Sequence, residues 1–471
     1  VTLSNRALIA LGVVLLLVAG SCSDSGDDES VDLETQSTTD DEILGLDWSS
    51  CGSAECAELA VPMNHDNPDG AALTLALIRR RAHGSDPAGV LLMNPGGPGG
   101  SGIAMLRDGD AVPTQIAAQF DQVSWDVRGT GQLGCQNRLV AFYALDLGPD
   151  TNQEAVDVDA SAAEVANRCA STAGALLANM STEQTVGDME AIRVALGVEQ
   201  INYIGFSYGT FLGLRYLDRF PDRLRTLVLD SVVDPTLSLD QFLTDQAVAF
   251  ETVIDQLLAD CGGQQSCSVA SPADTLAEVE RRTEAGDFAS LGPTELNRAL
   301  SAAGYVPSIH ARLIDDLGDA IDGDVRGLVQ LATAFGSFAS WDVYTAVTCV
   351  DSVAPVDWDR FLDNIAVAAP RFGLHFANEL RPCETWQAPN KANSTPVSGA
   401  GGIPVLLVNG KHDPATPLKW AIAVDTALHD SVLVSHGAGG HIAMDQSACI
   451  ADLVTEYVIS AVLTPAGTAC P

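Results

Sequence analysis

Residues 205 to 209 read Gly-Phe-Ser-Tyr-Gly, directly after the apolar run Ile201-Asn202-Tyr203-Ile204. This is the pattern of a tight strand-to-helix turn that lifts one serine hydroxyl clear of a sheet, with glycines where side chains would strike the backbone. Ser207 is the candidate nucleophile. The competing reading is an ordinary strand-turn-helix junction with an inert serine. A serine hydroxyl attacks poorly at neutral pH, so it needs a base, and the base needs an orienting acid. Two later apolar runs end in suitable residues. Val408 leads into Asn409-Gly410-Lys411-His412-Asp413-Pro414, and Val434 leads into Ser435-His436-Gly437-Ala438-Gly439-Gly440-His441. Asp413 is expected as the acid, with a plain turn aspartate as the alternative. His441 is expected as the base, beyond a flexible glycine loop, with His436 as its rival. His65, His83, His310, His375 and His429 lie outside these stretches and are expected on the surface or as satisfied core residues.

A tetrahedral intermediate needs backbone N–H donors aimed at its oxyanion. One is expected from Tyr208, the residue after the nucleophile. The other is expected from Asn94-Pro95-Gly96-Gly97-Pro98-Gly99-Gly100-Ser101-Gly102, at Gly97 or, failing that, Gly96. Such a loop could also cradle phosphate, but no Gly-Lys-Ser/Thr ending follows it. This chemistry calls for no metal or organic cofactor. Neither a Cys-x-x-Cys pair nor a His/Cys cluster suggests a zinc site.

The elements that must position these groups alternate from about residue 47 to 235. Strands are expected at 57–62, 73–78, 90–93, 123–126, 201–204 and 226–229. Ser181 and Gln184 suggest a capping box opening a helix that ends near Leu196. Such alternation implies a mostly parallel α/β sheet covered by helices on both faces. Residues 236–400 read as mostly helical, with amphipathic stretches at 241–259 and 325–339, and are expected to form an inserted helical cap. The sheet resumes over 401–471, with strands at 403–408 and 431–434 and a closing helix at about 447–462.

Bulk properties narrow the function. The chain has 471 residues, 46% of them hydrophobic and 18% charged, which suits a large core rather than disorder. Its net charge is −38, and its only lysines are Lys391, Lys411 and Lys419. That balance argues against binding nucleic acid or anionic headgroups through a basic face. Residues 1–21 resemble a secretory leader, with Arg6 ahead of an apolar run too short for a comfortable membrane span. Ala19-Gly20-Ser21-Cys22 resembles a bacterial lipobox, which makes Cys22 the expected lipidation site. Ordinary leader cleavage is the alternative. Residues 22–46 then form an acidic tether. Setting Cys22 aside leaves ten cysteines, an even number suited to an oxidising compartment. Proximity suggests Cys51–Cys56, Cys135–Cys169, Cys261–Cys267, Cys349–Cys383 and Cys449–Cys470.

"NPGGPGGSG", "WDVRGTG", "GFSYGT", "NGKHDPATP" and "GAGGH" stand in the order found in secreted tripeptidyl aminopeptidases of the prolyl-aminopeptidase-like group. The resemblance covers roughly residues 48–471. It implies an α/β-hydrolase fold with a helical cap and the set Ser207, Asp413 and His441, the same three reached from chemistry. Asp188, Asp230 and Arg128 also match and are expected to be structural. Pro95 stands where prolyl aminopeptidases proper have histidine, which points to the tripeptidyl branch. The implied activity is release of short peptides or single residues from free amino termini, at the outer face of a bacterial membrane through a lipid anchor. A carboxylesterase or lipase is the first alternative; a non-catalytic peptide-binding lipoprotein is the second. An exopeptidase should hold its substrate's ammonium group with cap carboxylates, for which Asp351 and Glu384 are unassigned candidates.

Overall fold

The computed structural model describes residues 45–84, 87–264, 266–399 and 402–471. The expected leader, Cys22 and nearly all of the expected tether lie outside the described residues. Among those described, nine strands form one sheet. They are β1 (Ser49–Cys51), β2 (Ala54–Pro62), β3 (Ala72–Arg80), β4 (Gly89–Asn94), β5 (Phe120–Trp125), β6 (Ile201–Phe206), β7 (Leu224–Asp230), β8 (Val405–His412) and β9 (Ser431–Gly439). Their order across the sheet is β1-β2-β3-β5-β4-β6-β7-β8-β9. From β1 to β5 the neighbours run antiparallel; from β5 through β9 they run parallel.

Burial follows from this layout. Alternate residues of β3 are buried at its apolar positions, because only one face of that strand is covered. Every residue of β6 is buried, since helices pack on both faces of the central strands. One apolar cluster, including Leu92, Tyr203, Leu227 and Leu407, lies on one side of the sheet. Another, including Met93, Ile204, Val228 and Leu406, lies on the other. Successive side chains of a strand point to opposite faces, so adjacent residues feed different cores.

Between β7 and β8 the described chain is helical, from Leu239–Gly262 through Gly373–Glu379. These helices bury a cluster of their own around Phe250, Ile254, Leu300, Leu317 and Phe372. The five expected cysteine pairs are joined: Cys51–Cys56, Cys135–Cys169, Cys261–Cys267, Cys349–Cys383 and Cys449–Cys470. No helix among the described residues is long and apolar enough to cross a membrane.

Two local expectations are corrected. Ser181 forms no side-chain cap, and Gln184 instead accepts the His65 amide at 2.7 Å. The first amide of that helix, Thr182 N–H, donates to Asp351 Oδ2 at 2.7 Å, so a carboxylate from the helical insertion caps a helix of the sheet layer. The glycine stretch after Val434 is strand rather than loop. β9 runs to Gly439 because β8 extends beside it as far as His412, with a register shift between Gly410 and His412.

Arg128 and Asp188 are fully buried and joined side-on, Nε and Nη2 donating to the two carboxylate oxygens at 2.8 and 2.6 Å. Arg128 also donates to the carbonyls of Met63 and Asn179, and His65 Nε2 lies 2.8 Å from Asp188 Oδ1. The cluster ties the segment after β5 to the helix that precedes β6. Removing one member would strand a buried charge, at a cost of about 3–5 kcal/mol.

Candidate active site

Ser207 sits at the turn between β6 and the helix Tyr208–Arg219. Its backbone has φ 55° and ψ −122°, a conformation L-residues seldom adopt and which costs on the order of 1–3 kcal/mol. The surroundings impose it. Ser207 N–H donates to Asp230 O at 2.9 Å, and Ser207 O accepts from Thr210 N and Oγ1 at 2.8 and 2.6 Å. The flanking glycines are required by contact. A methyl group on Gly205 would lie 2.2 Å from Gly209 O, and one on Gly209 would lie 2.6 Å from Asn94 O. The hydroxyl is therefore presented by a turn that no bulkier sequence could close.

Asp413 follows the end of β8 and is almost fully buried. Its Oδ1 accepts from the amides of Ala415 and Thr416, both at 3.0 Å, and Oδ2 accepts from Thr416 Oγ1 at 2.9 Å. His441 Nδ1 lies 3.0 and 2.9 Å from the two carboxylate oxygens. The other ring nitrogen, Nε2, is buried and makes no hydrogen bond, with Ser207 Oγ or any other group. Ser207 and His441 line the same cavity. His436, the rival base, is fully buried away from it, accepting the Ala438 amide at Nδ1; burial depresses its basicity.

The loop carrying His441 is held from both layers. Its backbone N–H donates to Tyr305 O at 3.0 Å, and the Tyr305 ring meets the imidazole edge-on at 5.0 Å. Ile442 N–H donates to Ser231 Oγ at 2.9 Å. The amides of Ala443 and Met444 donate to the two oxygens of Asp230, at 2.7 and 2.9 Å. Burial pushes the Asp230 carboxyl up to about 7, against the pull of those amides. Asp230 thus holds the Ser207 amide with its carbonyl and the loop of His441 with its side chain.

In the glycine-rich loop, Gly96 N–H is taken by Asn94 Oδ1 at 2.9 Å. A methyl on Gly96 would lie 2.4 Å from Phe206 O and 3.1 Å from Tyr208 N, so this glycine lets the loop rest against the serine turn. Gly97 lines the cavity and its amide has no protein acceptor. Tyr208 N–H is a first-turn helix amide without an intrahelical partner. The loop also touches the helical insertion, where Ser340 N–H donates to Gly99 O at 2.9 Å and Gly100 bridges Ala339.

The insertion roofs the cavity with aromatic and aliphatic side chains, among them Phe250, Tyr305, Phe335, Trp341 and Tyr344. The two carboxylates singled out in the sequence separate here. Asp351 lines the cavity but is engaged with Thr182. Glu384 is 43% exposed and pairs with Arg381, outside the cavity. Sequence reasoning missed Glu379, which lines the cavity and makes no hydrogen bond or close ion pair. Burial pushes its carboxyl up to about 7, opposed by the charge of Arg298. Arg298 also lines the cavity, with its guanidinium over the rings of Tyr143 and Trp341 at 4.8 and 5.7 Å. His375 is a second miss. It lines the cavity with Nδ1 unbonded, and burial holds it neutral, down at about 3. Neither residue lies in a motif; only the folding of the insertion over Ser207 brings them there.

The chain matches a family described as TAP-like protein over residues 369–470. It is 31% identical to the serine protease Hip1 of Mycobacterium tuberculosis, across 90% of this chain and 91% of that protein. It is 32% identical to a tripeptidyl aminopeptidase of Streptomyces lividans, across 88% of this chain and 84% of that one. A carboxylesterase B of Mycobacterium tuberculosis is 30% identical, across 90% and 88% respectively.

Proposed function

This chain belongs to the tripeptidyl-aminopeptidase-like serine hydrolases of the α/β-hydrolase fold, and we propose that it removes short peptides from free amino termini through an acyl-enzyme. The observation that carries the reading is the Asp413–His441 contact at 2.9 Å in a cavity that also holds Ser207 and a free Gly97 amide. Ser207 Oγ attacks the scissile carbonyl carbon while His441 Nε2 takes its proton. Asp413 stabilises the imidazolium that results. The oxyanion receives the amides of Gly97 and Tyr208. As the C–N bond breaks, His441 returns the proton to the leaving amine. Water then adds to the ester, delivering its proton to His441, and Ser207 departs with that proton as the amino-terminal fragment leaves as a carboxylic acid.

An exopeptidase must recognise a chain end. The roof supports this, because it reaches down to His441 through Tyr305 and to the glycine-rich loop through Ala339. Glu379 lines that cavity with no hydrogen bond or close ion pair, near the charge of Arg298, and it suits the substrate's ammonium group. The expected export is supported by the five disulfides, which belong to oxidising compartments. Anchoring through lipidated Cys22 is tested by a globomycin-sensitive mass shift.

Ser207→Ala should lower turnover of free-amine peptidyl nitroanilides by about 10⁴-fold or more, with the melting temperature nearly unchanged. Retained turnover would overturn the assignment. The similarity to a carboxylesterase keeps one rival in play. p-Nitrophenyl esters compared with free-amine and N-acetylated peptide nitroanilides decide it: loss on acetylation supports the exopeptidase, and indifference supports the esterase.

A further inference from the structure

A second cavity lies behind the first in the helical insertion, and the two share a wall. Asn297, on the helix Pro293–Tyr305, and His375, on the helix Gly373–Glu379, line both. Asn297 is tied down, its Nδ2 donating to Arg371 O at 3.1 Å. His375 makes no hydrogen bond and is held by shape. Its ring lies so close to Gly148 that a methyl there would be 2.6 Å from Nε2. Phe376, beside it, stacks edge-on with Phe250 at 5.2 Å, and Phe250 lies 5.6 Å from Tyr305, the ring against His441. A continuous aromatic side therefore leads from the base to the helix bearing His375.

The chambers differ in charge. Glu251, Glu280 and Glu284 line the second cavity. Arg371 pairs with Glu251 at 2.5 Å and with Glu280 at 2.8 Å. Glu284 has no bonded partner, and burial together with the acids around it raises its carboxyl to about 7. Three carboxylates against one guanidinium make that chamber favourable to a cation. A chain end carrying an ammonium group would be accepted there if it could pass.

We propose that the His375–Asn297 wall is a length stop that sets how many residues precede the scissile bond. The acidic chamber behind it is the space that a longer amino-terminal segment would occupy once the stop is removed. This rests on the aminopeptidase reading. The His375 ring packs against Gly148 and, with Asn297, forms the partition that an extra residue on the substrate would meet. The imidazole acts here by its volume and not by its chemistry.

The test is mass spectrometry of products from a peptide ladder with free amino termini, using the full-length enzyme. Wild type should release one dominant fragment length. His375→Ala should raise the ratio of longer to dominant fragments by about tenfold or more. Asn297→Ala, which opens the wall from the opposite helix, should shift it the same way. His375→Phe should keep the wild-type length, because a ring still fills the gap. Fluorophosphonate labelling of Ser207 and a melting curve establish that each variant is folded, and either opening variant suffices if the other is not. Wild-type fragment lengths from a folded opening variant overturn the proposal, as does a shifted length in His375→Phe. N-acetylated peptides separate the two failures. Wild type that cleaves them equally well defeats the aminopeptidase reading itself, whereas strict dependence on the free amine with unaltered lengths defeats only the length stop.

Discussion

The acids at the ends of the sheet strands and the charged side chains of the roof above them are held in different ways. At the strand ends, Asp413 accepts from two amides, a hydroxyl and an imidazole, and Asp230 accepts from two amides. In the roof, Glu379, Arg298 and His375 face the cavity without a hydrogen bond. A buried polar atom left unpaired costs roughly 1–3 kcal/mol, part of which a ligand's polar groups would recover. On the proposed function, the chemistry belongs to the sheet layer and recognition to the insertion. Changes below should therefore act on kcat, and changes above on KM and on which substrate is taken.

Asp413→Asn gives the largest expected effect on this division. The amides of Ala415 and Thr416 demand an acceptor, so the new side chain should keep its oxygen there and turn its NH₂ toward His441 Nδ1. Nδ1 must then accept, which puts the proton on Nε2 and leaves no base for Ser207. Loss of kcat by about 10⁴-fold with little change in KM or melting temperature is expected. Stopped-assay kinetics beside a thermal melt check this; a variant that loses KM and keeps kcat would erase the distinction between layers.

The two layers also differed in how far they could be read without coordinates. The turn at Ser207 was legible because its glycines, strand and helix are contiguous, and local backbone geometry dictates them. Asp413 and His441 were legible because parallel strands deliver their following loops to one edge. What failed was nonlocal. Ser181 looks like a helix cap, but Asp351, from the insertion, supplies the acceptor for the first helix amide. The glycines after Val434 looked like a loop, yet pairing with β8 keeps them extended. The choice between Gly96 and Gly97 depended on Asn94, whose side chain takes the Gly96 amide. Glu379 and His375 lie in a short helix with no motif, and their place is fixed only by how helices of the insertion cross.

Glu379→Gln should produce a smaller, more selective loss, about 10- to 100-fold in kcat/KM on free-amine peptides, with p-nitrophenyl ester turnover little changed. The carboxyl, raised by burial to about 7, must ionise before it can attract an ammonium group. The wild-type to variant ratio of kcat/KM should therefore grow as pH rises from about 5.5 to about 8. Stability moves the other way. Between the ordinary value of 4.5 and about 7, the folded protein keeps a proton that the unfolded chain has lost, so Glu379 makes wild type less stable as pH rises. Gln does not titrate, and its melting temperature should gain on wild type across the same window. A ratio independent of pH would show that the carboxylate does not meet the amine.

The finest test compares two disulfides. Cys349–Cys383 joins the helix ending at Asp351 to the segment following Glu379, entirely within the roof. Cys449–Cys470 joins the closing helix to the chain end, whose Cys470 N–H donates to Ser435 O of β9 at 3.4 Å. Removing either by paired Cys→Ala should cost about 2–4 kcal/mol. Only the roof pair should also raise KM for free-amine peptides, by a few-fold, because it fixes the spacing between the backbone around Asp351 and the helix of Glu379. The rate of fluorophosphonate labelling at Ser207 should stay near wild type in both, since neither bond touches the serine turn or the Asp413–His441 contact. If the Cys449–Cys470 variant instead raised KM while the roof variant did not, recognition would be governed from the sheet layer, and the assignment of substrate binding to the insertion would fail.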